Sequence, residues 1–262
     1  MMFPPRTAAL LLVQAAAFWP VWVWYAKRAS DGSDEPWGLV PLLLAVLLFG
    51  RLPRAESPAL SLRAGALATL LYAAAFPLAP PLLRAALALV ALALTAAPLR
   101  DSAGSAAHLG LLLLSLPVMA SLQFYLGLPL RAASGLVAAA LLSLSGFSVV
   151  ADGTCLRFGS ELLAIDAPCS GVRMLWGATF LALALAALLR LPLARTVALT
   201  AATVGTVVVA NGVRAAALFF PEAGILVAPP WAHSAIGFVT FAGVAFLVLR
   251  GAFVLVPPEA RR

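Results

Sequence analysis

Three residues able to do chemistry stand nearly alone among apolar neighbours in the last hundred or so positions of this chain. They are Cys169 in Ala167-Pro168-Cys169-Ser170-Gly171-Val172-Arg173, Arg214 in Asn211-Gly212-Val213-Arg214, and His233 in Trp231-Ala232-His233-Ser234. A polar or ionisable group inside an apolar span is costly and marks function by default. A thiolate attacks a carbonyl carbon, an imidazole carries the proton, and a fixed cation holds the oxyanion that forms. These are the parts of cysteine acyl-transfer chemistry, provided the fold lets them meet.

Each residue also has a plainer reading. A lone cysteine in an apolar setting is commonly a small hydrophobe, but the setting of Cys169 is unusual. Asp166 is placed to cap a helix and Pro168 suits its first turn. Cys169 then falls where open backbone N–H groups and the helix dipole stabilise a thiolate. Arg173, four residues on, shares its helical face, and Ser170-Gly171 lets a substrate backbone approach closely. An arginine in a span can snorkel to the headgroups, yet Asn211 lies on the same face as Arg214, three residues earlier. His233 follows Pro229-Pro230-Trp231, so it is also readable as an interfacial residue beside an aromatic anchor. Cys155 lacks any such setting and reads as structural. Two cysteines are no disulfide framework, and with two histidines at these spacings they build no zinc site. No metal or cofactor is expected.

The elements that must position these residues are membrane helices. Of 262 residues, 63% are hydrophobic and only 10% charged, against roughly a quarter charged in soluble domains. The net charge of +7 comes from scattered single or paired arginines with no patch, so it sets orientation in a membrane and does not indicate nucleic acid. Arg6 precedes an apolar run with no small-residue cleavage site after it, which reads as a first span and not a removed signal peptide.

A bilayer crossing needs about 20 largely apolar residues. Candidate spans are 8–26, 37–50, 64–83, 85–99, 106–128, 170–189, 196–219 and 231–249. The fold class expected is therefore an all-α polytopic membrane protein of about eight helices, residues 1–262 forming one domain. Residues 129–168 are expected on the extracytoplasmic side or at the interface. Within them, 132–145 reads as a half-length or interfacial helix stopped by Ser145-Gly146, and 147–165 as a surface hairpin turning at Asp152-Gly153.

Charge bias supports that count. With a cytoplasmic N-terminus, ten of the 17 basic residues fall inside: Arg6, Arg51, Arg54, Arg63, Arg100, Arg190, Arg195, Arg250, Arg261 and Arg262. If 132–145 also crossed, the split would become eight inside and nine outside, and the asymmetry would vanish. In the eight-span arrangement Cys169 starts the sixth span, Arg214 lies roughly 7–8 Å below the outer end of the seventh, and His233 starts the eighth. All three share one depth on the extracytoplasmic face, an outcome the charge count did not assume. His108, the other histidine, opens the fifth span on the opposite side.

At these residues the chain resembles the exosortase/archaeosortase family, multispan membrane enzymes that process C-terminal sorting signals of exported proteins. The similarity covers roughly residues 117–240. It rests on Phe124-Tyr125-Leu126-Gly127, Pro129-Leu130-Arg131, Ala167-Pro168-Cys169-Ser170-Gly171, the Asn211 and Arg214 pair, and His233 with Gly237 after it. Asp34 to Leu39 is similar to the family's first outer loop, with Trp37 where a histidine often stands. The resemblance implies a thiol protease or transpeptidase of the cytoplasmic (inner) membrane, working in protein sorting. Cys169 would be the nucleophile, His233 the acid or base and Arg214 the oxyanion holder. Substrates would carry an apolar C-terminal helix with a basic tail, and the acceptor would be an amine-bearing lipid or glycan precursor, or water. Gly-x-Ser-Gly, Gly-x-Gly-Asp and His-Glu-x-x-His motifs are absent. The competing class is a transporter or channel in which Arg214 binds an anion, although paired carboxylates within spans are also missing.

Overall fold

The computed structural model describes residues 5–32, 36–101, 105–165 and 170–256. Asp166, Pro168 and Cys169 lie outside the described residues, as do Asp34 and Glu35. The described chain is predominantly helical: α1 (Pro5–Ala17), α2 (Trp19–Ser30), α3 (Leu39–Phe49), α4 (Pro58–Ala75), α5 (Pro81–Ala96), α6 (Ala106–Leu114), α7 (Met119–Leu144), α8 (Val172–Leu188), α9 (Leu193–Glu222) and α10 (Ala232–Leu255). Between α7 and α8 lie three strands, β1 (Val149–Asp152), β2 (Cys155–Phe158) and β3 (Glu161–Ala164). Among the described residues α4, α7, α9 and α10 are long and apolar enough to cross a membrane, or five spans if the bent α1–α2 pair is one. This is an all-α membrane protein with a small sheet set into it.

Proline decides most of the departures from the expected boundaries. The run 8–26 is two helices bent by 60°: Pro20, in the first turn of α2, has no N–H to continue α1. Pro58 and Pro81 open α4 and α5, a position where the missing N–H costs nothing, so α4 precedes the expected 64–83 by several residues. The expected span 106–128 is interrupted at Ser115–Val118, where Pro117 ends α6. The next helix then runs on through Pro129 to Leu144. Arg131 therefore sits mid-helix, its Nε donating to Gly127 O at 3.2 Å.

The chain forms two compact units, residues 1–118 with 183–196, and residues 119–182 with 197–262. In the first, α4 and α5 pack through small residues. Ala85, Ala88 and Ala91 are fully buried, and a Cβ at Gly65 would meet Thr95 Oγ1 at 2.5 Å. Close backbone approach over small side chains is how helices associate where solvent drives no burial.

The second unit carries the sheet. Helix α7 ends in a Schellman motif, Phe147 N donating to Leu142 O and Gly146 N to Ser143 O, with Gly146 at φ +90° as that cap requires. The expected hairpin is a three-stranded antiparallel meander, β1-β2-β3. Its two-residue turns, Gly153-Thr154 and Gly159-Ser160, each put glycine first at φ near +60°, the pattern of a II′ hairpin. Alternation sends Val149 and Leu156 inward onto Ala138, Leu142, Leu218 and Phe219. Phe147 stands edge-on to Phe220 and Phe158 to Phe219, with centroids 5.4 and 5.2 Å apart. Such pairs add to burial and fasten the sheet to the last turns of α9.

Candidate active site

A single stripe of α9 carries the polar groups. Asn211, Arg214, Ala215, Leu218 and Glu222 recur at helical spacing and line a narrow cleft with Leu156, Ile165 and His233. His233 is the second residue of α10 and exposed. Arg214 Nη2 lies 3.2 Å from His233 Nε2. A guanidinium has no lone pair to offer, so it donates and Nε2 accepts, which puts the neutral ring's proton on Nδ1. Arg214 Nε is buried and has no partner among the described residues. A buried guanidinium N–H with nothing to donate to is a vacancy that native structures rarely leave.

Gly237 faces the guanidinium. One helical turn after His233, it shares that face of α10, and a Cβ there would lie 3.5 Å from Arg214 Cζ and Nη2. The guanidinium thus rests against bare backbone. Arg214 is eight residues from the end of α9, roughly 12 Å along the axis, deeper than expected because the helix continues to Glu222.

The residues after the cysteine come to the same helix. Helix α8 starts at Val172, not at 170 as expected, and its first amide donates to Ser170 Oγ at 3.4 Å. Ser170 is buried and its hydroxyl donates to Gln123 Oε1 at 3.1 Å. Gly171 has φ +82°, and a Cβ on it would strike Asn211 Cγ at 2.9 Å. The close approach expected of a substrate at Ser170-Gly171 is made by Asn211 instead. Asn211 is held by its own bond, Nδ2 donating to Ser134 Oγ at 2.8 Å, and Ser134 is fully buried. So the two residues following Cys169 are fixed against α7 and against α9 one turn before Arg214, while Ile165, the residue before the undescribed stretch, lines the Arg214–His233 cleft.

Arg173 is exposed at the start of α8 and is not among the cleft's lining. Cys155 pairs with Asp152 and Ala164 in the sheet and carries a free thiol. His108 is buried in the other unit with Nε2 on Ala45 O. Sequence reasoning missed Gln123, Ser134 and Glu222. Glu222 was findable, since it continues the Asn211–Arg214 face by two further turns. Gln123 and Ser134 were not, because both belong to a helix whose course through Pro129 was not foreseen. Among the described residues no group of histidine, cysteine and carboxylate side chains is arranged to hold a metal ion.

These features define a polytopic helical membrane protein with an arginine–histidine cleft bounded by a small sheet. The model of the transmembrane exosortase family matches residues 5–250, nearly the whole chain. The chain belongs to that family. No curated protein and no solved structure matches it.

The two glycines facing α9's polar stripe should behave differently. Gly171→Ala combines a φ suited to glycine with a contact below 3.0 Å, so thermal unfolding in detergent should show a loss of about 1–3 kcal/mol. Gly237→Ala adds a methyl at ordinary contact distance and should leave the melting temperature within a degree or two, whereas Gly237→Leu should displace the guanidinium. Equal tolerance at both glycines would contradict the packing described for Asn211.

Proposed function

We propose that this protein is a membrane cysteine transpeptidase that cleaves the C-terminal sorting signal of exported proteins and transfers them to an acceptor. The observation that carries the reading is the Arg214–His233 contact in a cleft lined also by Ile165 and Asn211, with Ser170 and Gly171, adjacent to Cys169, held against Gln123 and Asn211. Family membership supports it and disfavours a transporter that uses Arg214 for an anion.

In this mechanism Arg214 Nη2 gives up His233 Nε2, the ring's one lone pair, Nε2 takes the proton of the Cys169 thiol, and the thiolate attacks the carbonyl carbon at the sorting motif. The oxyanion is held by Arg214, whose buried Nε supplies an uncommitted donor. His233 returns the proton to the leaving nitrogen, the C–N bond breaks, and the apolar helix with its basic tail departs. The acyl group remains as a thioester on Cys169. A nucleophile, an amine on a lipid or glycan precursor, loses its proton to His233 and attacks the thioester, and the thiol leaves reprotonated. Water in place of the amine gives hydrolysis.

The cleft belongs to the extracytoplasmic face of the inner membrane in this reading. The four long helices and the bent α1–α2 pair give up to five crossings; this reading counts the three shorter apolar helices α3, α5 and α8 as three more, for eight. Helix α7 replaces 106–128 as the fifth, which preserves the parity on which the arginine distribution rests. A reporter active only in the cytoplasm should stay silent when fused after Asp152; activity there would remove eight crossings and the extracytoplasmic site with them.

Cys169→Ser should abolish processing, with unprocessed substrate accumulating at wild-type enzyme levels, because an alkoxide is far harder to form than a thiolate near neutral pH. Cys155→Ser, in the sheet, should retain activity, and equal loss in both would reject Cys169 as nucleophile. Arg214→Lys should fold and insert but lose on the order of 100-fold in turnover, the effect of removing one oxyanion donor. Lysine offers a point charge where guanidinium offers a planar fork. Near-wild-type processing by the lysine variant would leave Arg214 without a role at the oxyanion.

A further inference from the structure

The first unit holds a second cavity, of about 470 Å³, that the transpeptidase reading does not use. It lies between the end of α3, the start of α6, and the end of α8 with the start of α9. Two exposed arginines line it, Arg51 and Arg190, and neither is in an ion pair among the described residues. Both Ser105, which caps α6, and Leu193, the first residue of α9, are also in its wall. Two helix N-termini therefore add partial positive charge and open N–H groups to the two guanidiniums. Among the described residues no carboxylate lines it.

His108 adds an acceptor to these donors. The ring is 2% exposed and lines the cavity. Its Nε2 faces Ala45 O at 2.9 Å, and a carbonyl only accepts, so Nε2 bears a proton. Nδ1 is buried and has no partner among the described residues. In the neutral ring that atom is an acceptor in need of a donor. Arg190 points the same way. It closes α8 in a Schellman motif, with Leu191 N on Ala186 O, and holds φ +51°. That position favours glycine, yet an arginine occupies it.

We propose that this cavity binds a phosphate oxyanion that carries a hydroxyl donor. Arg51, Arg190 and the helix N-termini take the oxyanion, and His108 Nδ1 accepts from the hydroxyl. Both a phosphatidylglycerol headgroup and hydrogen phosphate have that chemistry. The leucine walls, Leu48, Leu52, Leu188 and Leu191, favour the lipid, since they offer acyl chains an apolar bed and a free ion nothing.

The full chain in detergent tests this by thermal shift and native mass spectrometry, with phosphatidylglycerol, phosphatidylcholine and inorganic phosphate as probes. Phosphatidylglycerol should raise the melting temperature and stay bound in the gas phase, while phosphatidylcholine, with neither net charge nor hydroxyl, should do neither. Arg51→Gln and Arg190→Gly should each weaken retention on the order of tenfold, the effect of one charge-assisted hydrogen bond. Arg190→Gly should at the same time raise the lipid-free melting temperature, because glycine accepts φ +51° without strain, so its loss of lipid is not a loss of fold. If phosphate alone stabilises as well as the lipid, and both variants abolish the effect, the site stands with the soluble ion as its ligand. Equal stabilisation by phosphatidylcholine, no response to any probe, or variants that bind phosphatidylglycerol as the parent does would each overturn it.

Discussion

A guanidinium on a helix as apolar as α9 has no water along most of its length, and its five N–H groups must be met by the protein or by what the protein binds. Much of the second unit follows from that constraint at Arg214. His233 meets Nη2, and Gly237 leaves the room in which the planar group lies. One turn earlier, Asn211 is tied to Ser134 of α7, and a Cβ at the adjacent Gly212 would collide with Val137 Cγ1 at 2.4 Å. Gly171 is thus where neighbouring backbone gives way to the polar stripe of α9, and Gly212 is where α9 itself gives way to α7. Of the guanidinium's nitrogens, Nε is the one that is buried with no partner among the described residues.

The pairing also sets what His233 can do. With the ring proton on Nδ1, Nε2 is the only lone pair the imidazole has, and Arg214 occupies it. In the proposed mechanism the guanidinium must leave Nε2 before a thiol's proton can enter there. The same withdrawal frees Nη2 to join Nε as a donor to the oxyanion, so proton uptake by the ring and oxyanion binding by the arginine are one movement.

The sequence made the chemistry more legible than the architecture. Arg214 and His233 stood out because a charge and an imidazole are conspicuous against alanine, leucine and valine, and the structure puts them in contact. Asn211 was readable from helical spacing alone. The membrane class followed from composition, and Ser145-Gly146 correctly marked the end of α7. What misled was proline. Pro129 looked like a terminus but lies inside α7, while Pro117 and Pro20 do break helices, and nothing local distinguishes the three. The second turn of the meander was overlooked because Gly159-Ser160 follows only a four-residue strand. Ser134 and Gln123 were out of reach for a different reason: their roles depend on partners 77 and 47 residues away, and no periodicity within α7 encodes such a distance.

The small sheet looks dispensable beside the described helices, yet it fixes Ile165, the last described residue before Cys169. Ile165 follows β3 directly, its N–H donates to Thr154 O at 2.9 Å, and its side chain is buried against the core shared with α7 and α9. At the other end Ser170 and Gly171 are held by Gln123 and by the tight fit to Asn211. Both anchors refer to α9: the first through the phenylalanine pairs at its last turns, the second one turn before Arg214. A change that loosened the aromatic pairs would leave the arginine, the histidine and the cysteine unaltered in sequence. It would still release the β3 end of the link between the sheet and α8, and with it the anchor that keeps Ile165 in the cleft wall.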